Sequence, residues 1–360
     1  MSYLDNKKTV LIISGLEYPE GPIYCKDGSI LLVEIKGQCL SRILPDGSRQ
    51  VIACIEGGPN GAAVVPSQDG STQLLVCNDG GFDWVEIPPP KSPRQPGYKP
   101  SLLISGLQPE KDYKGGSLWE VNLDTGDAVP LPLTSTSQTP SWPPPPFIPE
   151  SWSPPFPLRG PDDLVVDAQG GVWLTDFGKQ RARDKDITGV YYLAPDRSSL
   201  RQAIYPLNSP NGIGLSPDGK WLYVAISYER RLLKYEIGPA GSFKPNPKTL
   251  DGSYLVTADF QGSSVLDSLA LDEEGNIYVA TMVPQGSDPG ISGGISVVSP
   301  DGEMLDFVEI KIPGGAPAPL PSNICFGGAD MKTAYVTCGG TGHLISMPAR
   351  IAGLKLNYNC

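Results

Sequence analysis

Six stretches of the chain each open an apolar run with an oxygen-bearing side chain: Glu20, Asn60, Asp162, Asn211, Asp267 and Asn323. Brought to one point, Glu20, Asp162 and Asp267 would form a carboxylate cluster. Like charges held close and away from water raise one another's pKa, and a bound cation removes the conflict. Oxygen ligands from Glu, Asp and Asn suit hard ions, Ca²⁺ first and then Mg²⁺ or Mn²⁺. Zn²⁺, whose usual His and Cys ligands are scarce here, comes last. Asx side chains at strand starts also bond backbone amides, but a ring that includes a Glu and two Asp favours one bound divalent cation. No other catalytic chemistry is apparent: the chain has no P-loop, and its G-x-S-x-G match, GISGG at 290–294, runs into an apolar strand pattern rather than the helix that a nucleophile elbow requires. Its one histidine, His343, follows TCGGTG and opens an apolar strand, which is a structural position.

The elements that must position these residues read as hairpins. SPNGIGLSPDGKWLYVA, from Ser209, has a polar mouth residue, a small apolar strand, an Asp-Gly turn and a second apolar strand. PEGPIYCKDGSILLVE, PNGAAVVPSQDGSTQLLVC, PDDLVVDAQGGVWLTDFG, LDSLALDEEGNIYVAT and SNICFGGADMKTAYVTC repeat the pattern. The mouth residues are spaced by 40, 102, 49, 56 and 56 residues, so every unit but the second has the size of a four-stranded blade. The expected fold is all-β: a single six-bladed β-propeller over residues 1–360, with blades of four antiparallel strands. Innermost strands line the channel of a propeller, so their first residues converge on its axis. The N-terminal strand, residues 8–16, is placed to close the ring by pairing in the last blade. High glycine (42) and proline (39) counts agree with an all-β chain rich in turns.

The second unit is swollen by proline-rich insertions at about 88–115 and 130–161. Polyproline resists helix and sheet alike. Trp142, Phe147, Trp152 and Phe156 make the second insertion too apolar for a free linker, and it enters directly before Asp162, as a lid over the channel mouth would. The net charge of −11 argues against nucleic acid or an anionic membrane surface as partner. No apolar run approaches a membrane span, and MSYLDNKKTV lacks the apolar core of a secretion signal, so the reading is a soluble, cytoplasmic protein. The seven cysteines form no C-x-x-C pair and lie mostly in strand patterns, which favours reduced, buried thiols over a disulfide. The closing KLNYNC carries no pattern.

PEGP at 19–22, GPNG at 58–61, GPDDLVVDAQGGVWLTDFG at 160–178, SPNGIGLSPDGKWLYVA at 209–225, LDSLALDEEGNIYVAT at 266–281 and SNICFGGADMKTAYVT at 322–337 resemble, in this order, the SMP-30/gluconolactonase/LRE family. The resemblance spans the chain outside the two insertions. It implies a divalent cation held by Glu20, Asn211 and Asp267, and opening of a lactone. The metal would polarise the carbonyl while a carboxylate activates water, Asp267 first and Asp162 as its rival. The family opens its third blade with an Asn-Asp pair that touches substrate or metal. Here the pair is Asp162-Asp163, a departure that makes the mouth more acidic and sets it apart from the family's sugar-lactone preference. Asn60, Asp162 and Asp163 are the implied substrate contacts. Three alternatives stay open: phosphoester hydrolysis on the same scaffold, a metal-dependent isomerase or hydratase, and a binding propeller that uses calcium for stability alone.

Overall fold

The computed structural model describes residues 2–67, 70–86, 102–133, 157–249, 252–258, 260, 264–282, 293–314, 316–318 and 320–360. Six antiparallel sheets form a six-bladed propeller, as the repeat predicts. Blade one runs Pro19–Tyr24, Ile30–Glu34, Cys39–Ile43 and Arg49–Cys54 from the axis outwards. Blade two is Pro59–Val65, Gln73–Asn78, Ser117–Asn122 and Ala128–Pro130, and blade three is Pro161–Val166, Val172–Asp176, Thr188–Leu193 and Leu200–Leu207. Blade four has Pro210–Leu215, Trp221–Ile226 and Arg231–Ile237, with its outer edge shared by Phe243–Lys244 and Tyr254–Thr257. Blade five is Val265–Leu271, Ile277–Met282, Gly294–Val298 and Met304–Glu309. Blade six combines Pro321–Gly327, Thr333–Cys338 and His343–Pro348 with the N-terminal Val10–Ser14, which pairs antiparallel to His343–Pro348. The ring is thus closed by the N-terminal strand, as expected.

The strands alternate faces, and the blades pack face to face because each sheet has two apolar sides to bury. Blades three and four meet through Trp173, Val190, Tyr192, Leu222 and Tyr235, and blades five and six through Tyr278, Ile295, Ile324, Phe326 and Val336. Trp173, Tyr235 and Tyr278 are fully buried, and each contributes on the order of 2–3 kcal/mol by removal from water.

Several expectations are revised. Cys25 and Cys360 form a disulfide, so the thiols are not all reduced; Cys39, Cys77 and Cys338 are the buried free ones. KLNYNC is part of a segment that crosses the lower face of the ring. Gly353 N–H donates to Met331 O at 2.8 Å in blade six, Leu354 N–H to Leu271 O at 2.9 Å in blade five, and the Asn357 amide to Val166 O at 2.9 Å in blade three. Lys26 N–H, after the inner strand of blade one, donates to Cys360 O at 3.0 Å. Blade two's first insertion begins with a hairpin, Phe82–Glu86 against Leu102–Pro109, that reaches the Gly339–Thr341 turn of blade six. Trp142, Phe147, Trp152 and Phe156, the expected lid, lie outside the described residues.

Candidate functional site

The ring is built by one irregularity used six times. In every blade the pairing of the first two strands slips just after the inner strand begins: after Glu20, Pro59, Pro161, Pro210, Leu266 and Pro321. A bulge of this kind re-aims a side chain, and here it leaves Glu20, Asp162 and Asp267 within reach of one another's charge, with Asn211 bonded to Asp267. Register makes Glu20, Asn60, Asp162, Asn211 and Asp267 equivalent. In blade six the equivalent residue is Ser322, and Asn323 sits one step lower, level with Gly21, Gly61, Asp163, Gly212 and Ser268. The placing of Asn323 in the upper ring is therefore corrected. The error arose because blade six reads Pro-Ser-Asn where other blades read Pro-Glu or Pro-Asn.

Glycine follows Glu20, Asn60 and Asn211 for a steric reason. A Cβ on Gly21 would lie 2.9 Å from Asn60 O, one on Gly61 2.4 Å from Asp162 O, and one on Gly212 2.6 Å from Asp267 O. Each inner strand thus presses its backbone against the next strand's ring residue. Where the lower tier carries side chains, they bond inward. Asp163 Oδ1 accepts from Leu164 N–H at 2.8 Å, Asn323 Oδ1 from Ile324 N–H at 2.7 Å, and the Asn323 amide donates to Glu20 Oε2 at 2.9 Å. Glu20 Oε2 also accepts from Gly21 N–H at 3.0 Å.

The loops entering the ring are held by polar side chains at the ends of second strands. Glu17 N–H donates to Glu34 Oε2 at 2.8 Å, Gly58 N–H to Asn78 Oδ1 at 3.0 Å, and Arg159 and Gly160 N–H to Asp176 at 2.8 and 2.7 Å. Sequence reasoning passed over these three residues. Their signal was a polar residue ending a buried second strand at the same offset in three successive units.

Burial dominates the electrostatics. It pushes the Glu20 carboxyl up to about 7, against the donors Asn323 and Gly21. Asp162 and Asp267 are raised well above the usual range by burial and then by Glu20. Burial also takes Asp163 to about 7 and Asp176 to about 6. Among the described residues one lysine or arginine is buried: Lys179. Its ammonium lies 3.1 Å from Asp79 Oδ1, donates to Gly81 O at 2.9 Å and sits 3.5 Å above the Phe82 ring. Neither Lys179 nor Asp79 was singled out from sequence. Two phenols flank the ring: burial and then Asp267 raise both Tyr18 and Tyr228. Tyr18 packs against Trp84 of the insertion hairpin, ring centres 5.3 Å apart, and Tyr228 against Phe177 at 5.9 Å.

The ring residues pass a test for a cation. The Asn211 side-chain oxygen is buried with no hydrogen-bond donor, an arrangement costly in itself that a bound cation would relieve. Asn211 neighbours Asp267, which in turn feels the charge of Glu20. Among the described residues no three of His, Cys, Asp and Glu form a ligand cluster by themselves, so Glu20, Asp162 and Asp267 do not make the three-carboxylate site expected from the sequence, and a ligand set here needs the Asn211 oxygen. All donors are oxygens, the set for a hard ion.

A model of the SMP-30/gluconolactonase/LRE-like region matches residues 18–340. The gluconolactonase of Zymomonas mobilis is 32% identical over 181 residues, 47% of this chain and 46% of its own length. Lactonase drp35 of Staphylococcus aureus is 34% identical over 120 residues, 33% of this chain and 35% of its own. The aligned segments thus span less than half of these curated relatives. Among solved structures, a Xanthomonas campestris gluconolactonase superposes with a TM-score of 0.61 at 18% identity, over 95% of this chain and 89% of that one. A calcium-binding regucalcin from Agrobacterium tumefaciens gives 0.62 at 15%, over 95% and 94%. At such identities these two structures speak for the fold alone.

Proposed function

The chain belongs to the SMP-30/gluconolactonase/LRE-like family, and from that premise we propose that it is a divalent-cation-dependent hydrolase that opens a lactone. The observation that carries this reading is the unpartnered Asn211 oxygen, buried beside Asp267 in a ring that also holds Glu20. Glu20, Asn211 and Asp267 would hold the cation, with Ca²⁺ the best match to their oxygens. A cation there supplies Lewis-acid polarisation of an ester carbonyl.

The remaining steps fall to the chain's own groups. Asp162 lies outside the ligand set and keeps its lone pairs for proton transfer, so it is the better base toward water; Asp267, committed as a ligand, is the weaker one. Having taken a proton from water, Asp162 can return it to the leaving alkoxide. Asn60 and Asp163 are the proposed substrate contacts, Asn60 from the neighbouring blade and Asp163 from the step below Asp162. Tyr18, buried beside the ring, would present an aromatic face to the substrate, and the more exposed Tyr228 stands on the solvent side of it. Lys179 offsets part of the negative charge beside Asp162.

Metal analysis of wild type, Glu20→Gln and Asp267→Asn, combined with a panel of lactones and phosphotriesters assayed before and after chelation, tests the proposal. One equivalent of a divalent ion and a chelator-sensitive lactonase activity, both lost in the two variants, are expected. Metal without ester hydrolysis would reject the reaction; a wild type that binds no divalent ion would reject the mechanism.

A further inference from the structure

Below the ring lies a cavity of about 1060 Å³, lined by all six inner strands and by Leu354–Asn359, with an arm between blades three and four that reaches Tyr192, Arg201 and Pro239. Its apolar walls include Ile23, Leu164, Ile213, Leu269 and Ile324, and its upper end is marked by Asp163 and Asn323. The floor is unevenly held. Between Ala349 and Leu354 five backbone hydrogen bonds tie the segment down: Ala349 to Lys332, Arg350 to Tyr3, Glu273 to Ala352, Gly353 to Met331 and Leu354 to Leu271. From Lys355 onward, the ties among the described residues are the backbone bond from Lys26 to Cys360, the Asn357 side chain, Tyr358 packing and the disulfide to Cys25. Lys355, Leu356, Asn357 and Asn359 are exposed on their outer side. The covalent bond therefore does for the last residues what backbone pairing does for those before them.

We propose that residues 355–360 are a redox-latched floor: oxidised, they shut the lower end of the channel, and reduced, they swing away on Leu354 and admit solvent to the cavity. Cys25 is buried and Cys360 half-buried, so an incoming dithiol attacks Cys360 Sγ. The S–S bond breaks and Cys25 leaves as the thiolate. The second thiol of the reductant then closes on the mixed disulfide, releasing Cys360 as a thiolate; the reductant departs oxidised as a cyclic disulfide, and its two electrons stay on the Cys25 and Cys360 sulfurs. The consequence reaches the ring, because Asn323 lines the cavity and also donates to Glu20.

The molecule holds its own reporters. Cys325 lines the cavity and is a free thiol, Cys54 is free and exposed, and Cys39, Cys77 and Cys338 are free and buried within the blades. Wild type, oxidised or treated with dithiothreitol, and Cys360→Ser without reductant are pulsed with N-ethylmaleimide, and each cysteine is read by peptide mass mapping. Cys54 should react equally in every sample and the three blade cysteines should stay unmodified. Cys325 should react roughly tenfold or more faster once the latch is gone, the signature of a local opening. An unchanged Cys325 rate with the bond shown to be cleaved would overturn the proposal. So would absence of the Cys25–Cys360 bond in the oxidised protein, or simultaneous labelling of the blade cysteines. If Cys360→Ser fails to fold, the reduced wild type carries the comparison alone.

Discussion

Asn323 donates its side-chain amide to Glu20 Oε2 at 2.9 Å, so the last blade steadies the first residue of the ring from one level below it. That bond crosses the seam where the propeller closes, and it turns an acid in an apolar channel toward its charged form. Asn323→Leu leaves Glu20 with the Gly21 N–H and the Ser322 hydroxyl and removes a hydrogen bond to a charge worth about 1.5–3 kcal/mol. The expected result is a divalent-ion Kd weaker by roughly 10- to 100-fold with the fold retained, read by calorimetric titration against circular dichroism.

The glycine after Asn211 is predicted to be among the most sensitive positions. In Gly212→Ala the added methyl meets Asp267 O at 2.6 Å and Leu269 N at 2.8 Å, both backbone atoms that cannot rotate aside. A loss of about 2–4 kcal/mol is expected from overpacking, with Asp267 displaced. Gly219→Ala, with open space around it but φ at +68°, should cost only about 1 kcal/mol from its left-handed backbone. Urea midpoints of the two variants measure the contrast.

Removing one member of the buried pair tests Lys179. Lys179→Met leaves Asp79 charged and unpaired beside Asp162 and should destabilise by about 3–5 kcal/mol. Lys179→Met combined with Asp79→Leu should recover a substantial part of that loss. If the double variant is no better than the single one, the ammonium matters for something other than Asp79. Denaturant unfolding of the four-member cycle decides.

The metal-free protein should lose stability as pH rises. Glu20 and Asp163 ionise near 7 and Asp176 near 6 in the fold, against about 4 when unfolded. Between those limits the native state binds more protons than the unfolded chain, so unfolding free energy falls with rising pH. The stabilisation is complete below about pH 4 and lost by about pH 7. Melting curves of chelated protein from pH 5 to 8 should show a falling Tm, and an excess of Ca²⁺ should flatten or reverse the slope.

Base loss is separable from metal loss. Asp162→Asn should keep the metal and lower kcat by roughly 10²- to 10⁴-fold, while Asp267→Asn should lose both. The reverse pattern would return the base role to Asp267.

Much of this architecture was legible because it is local. A mouth residue, an Asp-Gly turn and two apolar strands lie within one short window, so Glu20, Asn60, Asp162, Asn211 and Asp267 could be lined up from the chain alone. Blade six misled by one residue, because a bulge sets which of Ser322 and Asn323 faces the axis and no composition rule marks the bulge. Asp79 and Lys179 lie a hundred positions apart, and Cys25 and Cys360 are separated by 335. Their pairing is created by the closed ring, which a linear reading does not reach. The three loop-holding residues Glu34, Asn78 and Asp176 were visible as ends of strands, but their role depends on which loop passes beneath them.

The strand Val10–Ser14 leaves the ribosome a whole propeller ahead of its partner His343–Pro348. Throughout synthesis it is an orphan edge, and Val10 and Leu11 keep apolar side chains in water even after pairing. Such an edge invites pairing with other chains. The same closure that makes the finished propeller seamless thus sets a waiting time in its biogenesis, during which a chaperone or a high local concentration of sibling chains decides whether blade six is completed from within or borrowed from a neighbour.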